Sequence, residues 1–262
     1  MTYDLNLDAN KLLAGIARTY AGMQSYSDYG ESVCRLPSIG SAGASIMKRE
    51  FTTRWKRPGR LHLRVGSLLP GENAPYAEQE IISVPSETYA RVSGRRGYER
   101  FGSLDDALQR LSASTLTVST VVPRLLSADL ARVETDLIGQ ADLAVRCELD
   151  GRACFCISLI RANERQRMWV DAAQLALLRV DIACQSQDES PALEEGGTPT
   201  QLSSELSVDS PSSGPAARPA DNASPATSVD SFGADSLSIS IRYHPTIDPD
   251  LRDAEFDSLL PR

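Results

Sequence analysis

The stretch from Met47 to Val65, MKREFTTRWKRPGRLHLRV, constrains the fold more than any other part of this chain. Met47, Phe51 and Trp55 share one parity, and Lys48, Glu50, Thr52, Arg54 and Lys56 take the other. Beyond Pro58-Gly59 the alternation resumes, with Leu61, Leu63 and Val65 set against Arg60, His62 and Arg64. Period-two alternation on both sides of a Pro-Gly turn predicts an antiparallel hairpin with one dry and one wet face. A curved, one-sided antiparallel sheet is the scaffold that such a hairpin serves, and what occupies its dry face decides the function.

Other segments extend that sheet. The residues Tyr26–Leu36, Glu78–Val84 and Glu87–Ser93 read as strands before a helical block, although Tyr26–Leu36 does not alternate cleanly. After the block come Val133–Ile138, Asp142–Leu149, Arg152–Ile160, Gln166–Asp171 and Leu175–Ala183. Asp150-Gly151 is a tight-turn signal between two of them. Phe155, Ile157 and Leu159 share a face, as do Leu178, Val180 and Ile182. Asp8 is placed to cap a first helix whose stripe is Leu12, Leu13, Ile16, Ala17 and Tyr20, with Gly22 as its stop. Ser103 with Asp106 fits a capping box for a second helix carrying Leu104, Ala107, Leu108 and Leu111. The apolar run Leu116–Leu126 reads as a helix or helix-loop ending near Leu126 and broken or kinked at Pro123, buried against the dry face.

Charge divides the chain. Residues 1–185 hold 23 Lys and Arg against 21 Asp and Glu, a net of +2, whereas residues 186–262 hold 4 against 14, a net of −10. A near-neutral folded part argues against a nucleic-acid binder, which concentrates positive charge on one face. Residues 186–233 contain 11 Ser and 6 Pro with Phe232 as their one aromatic, and a segment of this kind reads as disordered. Yet Ser236–Tyr243 alternates cleanly, with Leu237, Ile239, Ile241 and Tyr243 on one face, and a lone strand needs a sheet to join. The expected organisation is one domain from residues 1–185 plus 235–262, interrupted by an acidic insertion over 186–234. Its fold class is α+β: a curved antiparallel sheet of about 10 to 11 strands wrapped around two or three helices. No run approaches the roughly 20 apolar residues of a membrane span. The N-terminus as written lacks a secretory signal, so the expectation is cytoplasmic, or periplasmic if a leader precedes Met1.

Catalytic and metal motifs are missing from the sequence. His62 falls on the wet face of a strand and His244 at a strand end, without H-x-x-H, H-E-x-x-H, G-x-S-x-G or Walker spacing. Asp248, Asp250, Asp253, Glu255 and Asp257 lack the glycine and spacing of a calcium loop and read as a solvated acidic tail. Gly94-Arg95-Arg96-Gly97 reads as a solvated hairpin tip rather than an anion site. Five cysteines, Cys34, Cys147, Cys154, Cys156 and Cys184, have no zinc spacing. They read as reduced small hydrophobes, with a redox pair or a soft-metal site as the other readings. No cofactor is implied.

Several phrases in order, ANKLLAGIARTYAGMQSYSDYGESV, FTTRWKRPGRLHLRV, ELDGRACFCISLI, MWVD and ISIRYHPTIDPDLRDAEFDSLLP, resemble the LolA/LolB-type lipoprotein-carrier superfamily. The closer resemblance is to its uncharacterised branch of bacterial proteins predicted to be periplasmic, through the turn at Arg54–Arg60 and the closing segment Tyr243–Phe256. It covers nearly all of residues 9–185 and 235–260. The resemblance implies an unclosed β-barrel curled around helices, with a cavity that in the characterised carriers holds acyl chains. The acidic insertion and the missing signal depart from that pattern.

Met47, Phe51, Trp55, Leu61, Leu63, Val65, Leu116, Val121 and Trp169 are the expected lining of an apolar cavity. The competing reading packs the same residues on the helices and leaves no space. Two functions follow: a non-enzymatic binder of a hydrophobic small molecule or acylated peptide, and a protein-interaction or envelope-sensor module whose acidic insertion contacts a protein partner.

Overall fold

The computed structural model describes residues 8–37, 45–66, 79–92, 94–127, 141–161, 164–184 and 237–261. The acidic insertion 186–234 and the expected strand Val133–Ile138 lie outside the described residues. Twelve strands form one antiparallel sheet: β1 (Ser25–Leu36), β2 (Ser45–Lys56), β3 (Arg60–Gly66), β4 (Gln79–Val84), β5 (Glu87–Arg91), β6 (Glu99–Phe101), β7 (Ala141–Leu149), β8 (Arg152–Arg161), β9 (Glu164–Asp171), β10 (Leu177–Cys184), β11 (Leu237–Tyr243) and β12 (Thr246–Ile247). Their spatial order is β6-β5-β4-β3-β2-β1-β11-β10-β9-β8-β7, with β12 on the flank of β1, and the sheet does not close into a barrel. The short β6 and β12 are additions to the expected strand set.

The halves of the sheet are joined by β11. It pairs with β1, Gly30 opposite Tyr243 and Arg35 opposite Ser238, and with β10, Ile182 opposite Ile239. The strand that follows the acidic stretch is therefore central to the sheet. Its alternation explains the placement: Ile241 and Tyr243 are buried while Arg242 is exposed.

Helix α1 (Ala9–Gly22) starts where the Asp8 side chain accepts a hydrogen bond from the Lys11 backbone N–H at 3.1 Å. Its stripe Leu13, Ile16, Ala17 and Tyr20 is buried on the concave face. Arg57 closes the other end, donating to the carbonyls of Ala21 at 2.6 Å and Met23 at 2.9 Å, which satisfies acceptors the helix leaves open. Helix α2 (Leu104–Leu111) is capped by Ser103, whose hydroxyl accepts from the Asp106 N–H. A 3₁₀ turn at Val118–Thr120 precedes α3 (Val122–Ser127). The break falls at Val121, outside helical dihedrals at φ −90° and ψ −89°. Pro123 then sits in the first turn of α3, where its missing N–H costs nothing, instead of breaking a helix interior.

The concave side is a continuous core in which Leu13, Ile16, Tyr20, Leu61 and Leu108 are fully buried. A smaller cluster of Cys154, Cys156, Trp169 and Leu178 lies on the opposite face. The acids of the C-terminal segment are largely exposed, as expected, but the segment forms a helix α4 (Asp253–Asp257) docked on the sheet. Phe256 is buried, and Asp253 pairs with Lys56 at 2.8 Å and Arg60 at 3.4 Å on the hairpin's wet face. No described helix is long and apolar enough to cross a membrane.

The β7–β8 turn carries positive φ at both central residues, 52° at Asp150 and 78° at Gly151. Aspartate tolerates this region, and glycine enters it without a Cβ penalty. Gly151→Ala is expected to lower stability by about 1 to 2 kcal/mol, read as a shift of the urea midpoint without a change in slope.

Candidate functional site

At the end of the sheet carrying the β2–β3 and β4–β5 turns, a cavity of about 720 Å³ opens between the strands and the helical cover. Trp55, Ser83 and Thr88 come from the sheet, the Pro85-Ser86 turn forms a rim, and Phe101, Leu104 and Leu126 come from β6, α2 and α3. Strand alternation puts Trp55 here, since it pairs with Leu61 and both point inward. The Arg57 guanidinium lies 4.9 Å over the Trp55 ring, so the donor that closes α1 also fixes the indole. The hydroxyls of Ser83 and Thr88 share a 2.8 Å hydrogen bond inside the wall. The cavity is large enough for a small ligand, and Arg57, Glu87, Arg100 and Asp105 line it together with the apolar side chains, so its wall is as much polar as apolar.

Behind it, the concave face contains a polar seam that the hydrophobic pattern did not reveal. The Tyr26 hydroxyl donates to Asp28 Oδ2 at 2.8 Å, both groups being buried. Thr53 lies opposite Asp28 in the β1–β2 register. Trp55 Nε1 and the Tyr243 hydroxyl have no hydrogen-bond partner among the described residues. Burial pushes the Asp28 pKa up to about 6, and Thr53 and Tyr26 oppose that only in part. Burial also raises the phenols of Tyr20, Tyr26 and Tyr243 above their ordinary value.

On the convex face, His62 and Glu80 share a 2.7 Å hydrogen bond. Burial works against the Glu80 carboxylate, but hydrogen bonds from His62 and Tyr98 and the charge of Arg91 outweigh it and hold its pKa low. Each oxygen is engaged, one by His62 and the other by Tyr98 and Arg91. This arrangement locks β3, β4 and β5 together. A shallower hollow of about 480 Å³ lies beside it, with Arg64 in its wall and the ring of Tyr29 stacked on His244 at 4.4 Å.

The nine residues expected to line one cavity separate into groups. Trp55 borders the large cavity. Leu61, Leu63, Val65, Phe51 and Leu116 are buried, the first four within the continuous core, and Val121 packs against that core. Met47 is 37% exposed, and Trp169 belongs to the cluster on the opposite face. These two are corrected: Met47 lies at the far end of β2, and Trp169 lies between Met168 and Val170, which point inward. The groups that sequence reasoning missed are Asp28, Thr53, Ser83, Thr88 and Tyr243. For Asp28 the sequence signal was the broken alternation of Tyr26–Leu36, where Asp28, Gly30 and Ser32 occupy inward positions.

Family models produce no match to the sequence, and no curated protein matches it. Solved structures with a related course of chain include a DUF1329 family protein from Desulfovibrio piger ATCC 29098, at 12% identity and a TM-score of 0.36, covering 96% of this chain and 98% of that one. Another is a "putative outer membrane lipoprotein-sorting protein domain" from Vibrio parahaemolyticus, at 10% identity and a TM-score of 0.39, with coverage of 96% and 98%.

Proposed function

We propose that this chain is a non-enzymatic binding protein that takes a hydrophobic ligand, such as an acyl chain, into the open end of the sheet. The single observation that carries the reading is the 720 Å³ cavity in which Trp55, Phe101, Leu104 and Leu126 offer apolar surface beneath a rim that includes Arg57, Glu87, Arg100 and Asp105. An apolar chain entering there gains roughly 25 cal/mol for each Å² of surface removed from water. The hydroxyls of Ser83 and Thr88 offer a polar contact at the wall.

The test is titration of the full chain with a fluorescent fatty acid, alongside native mass spectrometry of the purified protein. Leu104 is half-buried at the cavity wall, so Leu104→Trp fills space without entering the continuous core. One acyl species per chain is expected, and Leu104→Trp is expected to weaken the probe at least ten-fold, about 1.4 kcal/mol, with an unchanged far-UV circular dichroism spectrum. Equal binding by both proteins, or no stoichiometric binding, overturns the proposal.

The filled core favours a second reading. Under α1 the sheet is fully packed, with Leu13, Ile16, Tyr20 and Leu61 at 0% exposure, so a long lipid has no room there. An interaction module with the acidic insertion as its contact element needs no such room. Loss of partner capture on deleting residues 186–234, in a chain that binds no acyl probe, would select it.

A further inference from the structure

The convex cluster on β7, β8 and β9 holds chemistry that the ligand cavity does not use. Cys147 on β7 stands directly opposite Cys154 on β8 in the strand register, and their Sγ atoms are 3.1 Å apart. Cys156 lies two residues further along β8 on the same side, opposite Trp169 of β9. Directly opposed residues of an antiparallel pair have Cα atoms about 4.5 to 5.5 Å apart, inside the 4.4 to 6.8 Å that a disulfide spans. Diagonal neighbours lie about 7 to 8 Å apart, at or beyond that span. The pair that can close is therefore Cys147 with Cys154. Cys147 is half-exposed while Cys154 and Cys156 are buried, so a small reagent reaches Cys147 first.

We infer that Cys147 and Cys154 form a reversible thiol–disulfide site that exchanges with small-molecule disulfides, with Cys147 as the attacking thiol and Cys154 as the resolving one. The Cys147 thiolate attacks one sulfur of the disulfide, whose S–S bond breaks, and the departing thiolate takes up a proton. Cys154 then loses its proton and attacks Cys147 Sγ, expelling the second small thiolate, which is protonated in turn. Two protein thiols are oxidised to one disulfide and one small disulfide is reduced to two thiols. Hydrogen bonds from the Cys154 and Cys156 thiols stabilise the Cys147 thiolate and lower its pKa, while the same contacts and burial raise the other two. Cys156 is thus a positioning residue. Cys34 and Cys184 are raised, burial being the larger cause for each, and serve as internal references.

The experiment treats the reduced full chain with oxidised glutathione, without denaturant, then quenches, alkylates and digests with trypsin. Cleavage after Arg146, Arg152 and Arg161 puts Cys147 in residues 147–152 and Cys154 with Cys156 in residues 153–161, so the cross-link appears as one joined peptide pair. Expected are a loss of two thiols per chain, a joined pair reversed by dithiothreitol, and reaction about ten-fold or more faster at Cys147 than at Cys34 or Cys184. Cys156→Ser is expected to keep the cross-link but slow its formation. Cys154→Ser is expected to stop at a glutathione adduct on Cys147. The site is overturned if the wild-type chain keeps five thiols, if glutathione remains on Cys147 without a cross-link, or if Cys154→Ser forms the joined pair as readily as wild type. The wild-type measurement decides even where a serine variant folds poorly.

Discussion

Alanine at Gly30 is expected to destabilise the protein by about 3 kcal/mol, near the upper end for an overpacked site. A Cβ at this position would lie 2.0 Å from the backbone oxygen of Arg242 and 2.5 Å from Cζ of Phe51. The first contact is with main chain of β11 and cannot be relieved by turning a side chain. Gly30 pairs with Phe51 on one side and Tyr243 on the other, where the ring of Phe51 meets that of Tyr243 at 5.4 Å. Glycine in a strand interior marks a close backbone approach, and here the approach joins the two halves of the sheet through β11. At roughly 2 to 4 °C per kcal/mol for a chain of this size, the melting temperature should fall by roughly 6 to 12 °C. Gly22→Ala is the control, because its Cβ would meet nothing within 4 Å. A Gly30→Ala protein within 1 kcal/mol of wild type in urea unfolding would mean that β11 can shift without loss, and that the junction is not tightly fitted.

What could be read from the sequence was whatever repeats with a clear period or carries a turn with one dominant geometry. The β2–β3 hairpin, the Asp150-Gly151 turn, the Asp8 and Ser103 caps and the joining of Leu237–Tyr243 to the sheet all belong to that class. Strands β6 and β12, with three and two residues, are too short for a period to show. Around Trp169 the pattern is ambiguous for a different reason. Met168, Trp169 and Val170 are all buried, so the sheet is apolar on both faces there and alternation cannot tell inward from outward. The docking of helix α4 was not legible because its acids dominate the composition, while the contact rests on one aromatic, Phe256, and on basic partners about 200 residues earlier in the chain. The cavity at Trp55 is harder still to foresee, since turns from four segments build it and no local pattern encodes their meeting.

The polar seam beneath α1 gives the other large effect, visible as a dependence on pH. Asp28 is ionised in the unfolded chain above its ordinary value of 3.8, whereas in the folded protein burial raises its pKa to about 6. Between those two values the native state holds the proton that the unfolded state has released, so stability falls as pH rises through this window. Above pH 6 the full penalty is in place, about 3 kcal/mol for a shift of about two units. Glu80, Asp171, Asp253 and Glu255 have lowered values and act with the opposite sign, which hides the Asp28 contribution in a wild-type profile. Asp28→Asn isolates it. The amide oxygen still accepts from the Tyr26 hydroxyl, and Thr53 lies opposite in the β1–β2 register. The variant should gain on wild type as pH rises, the difference widening by about 2 kcal/mol between pH 4.5 and 7.5 in urea unfolding. Parallel profiles would show that Asp28 is solvated in the native protein and that the seam is wet. A widening difference would establish a buried carboxyl group that the fold retains at a cost to stability near neutral pH.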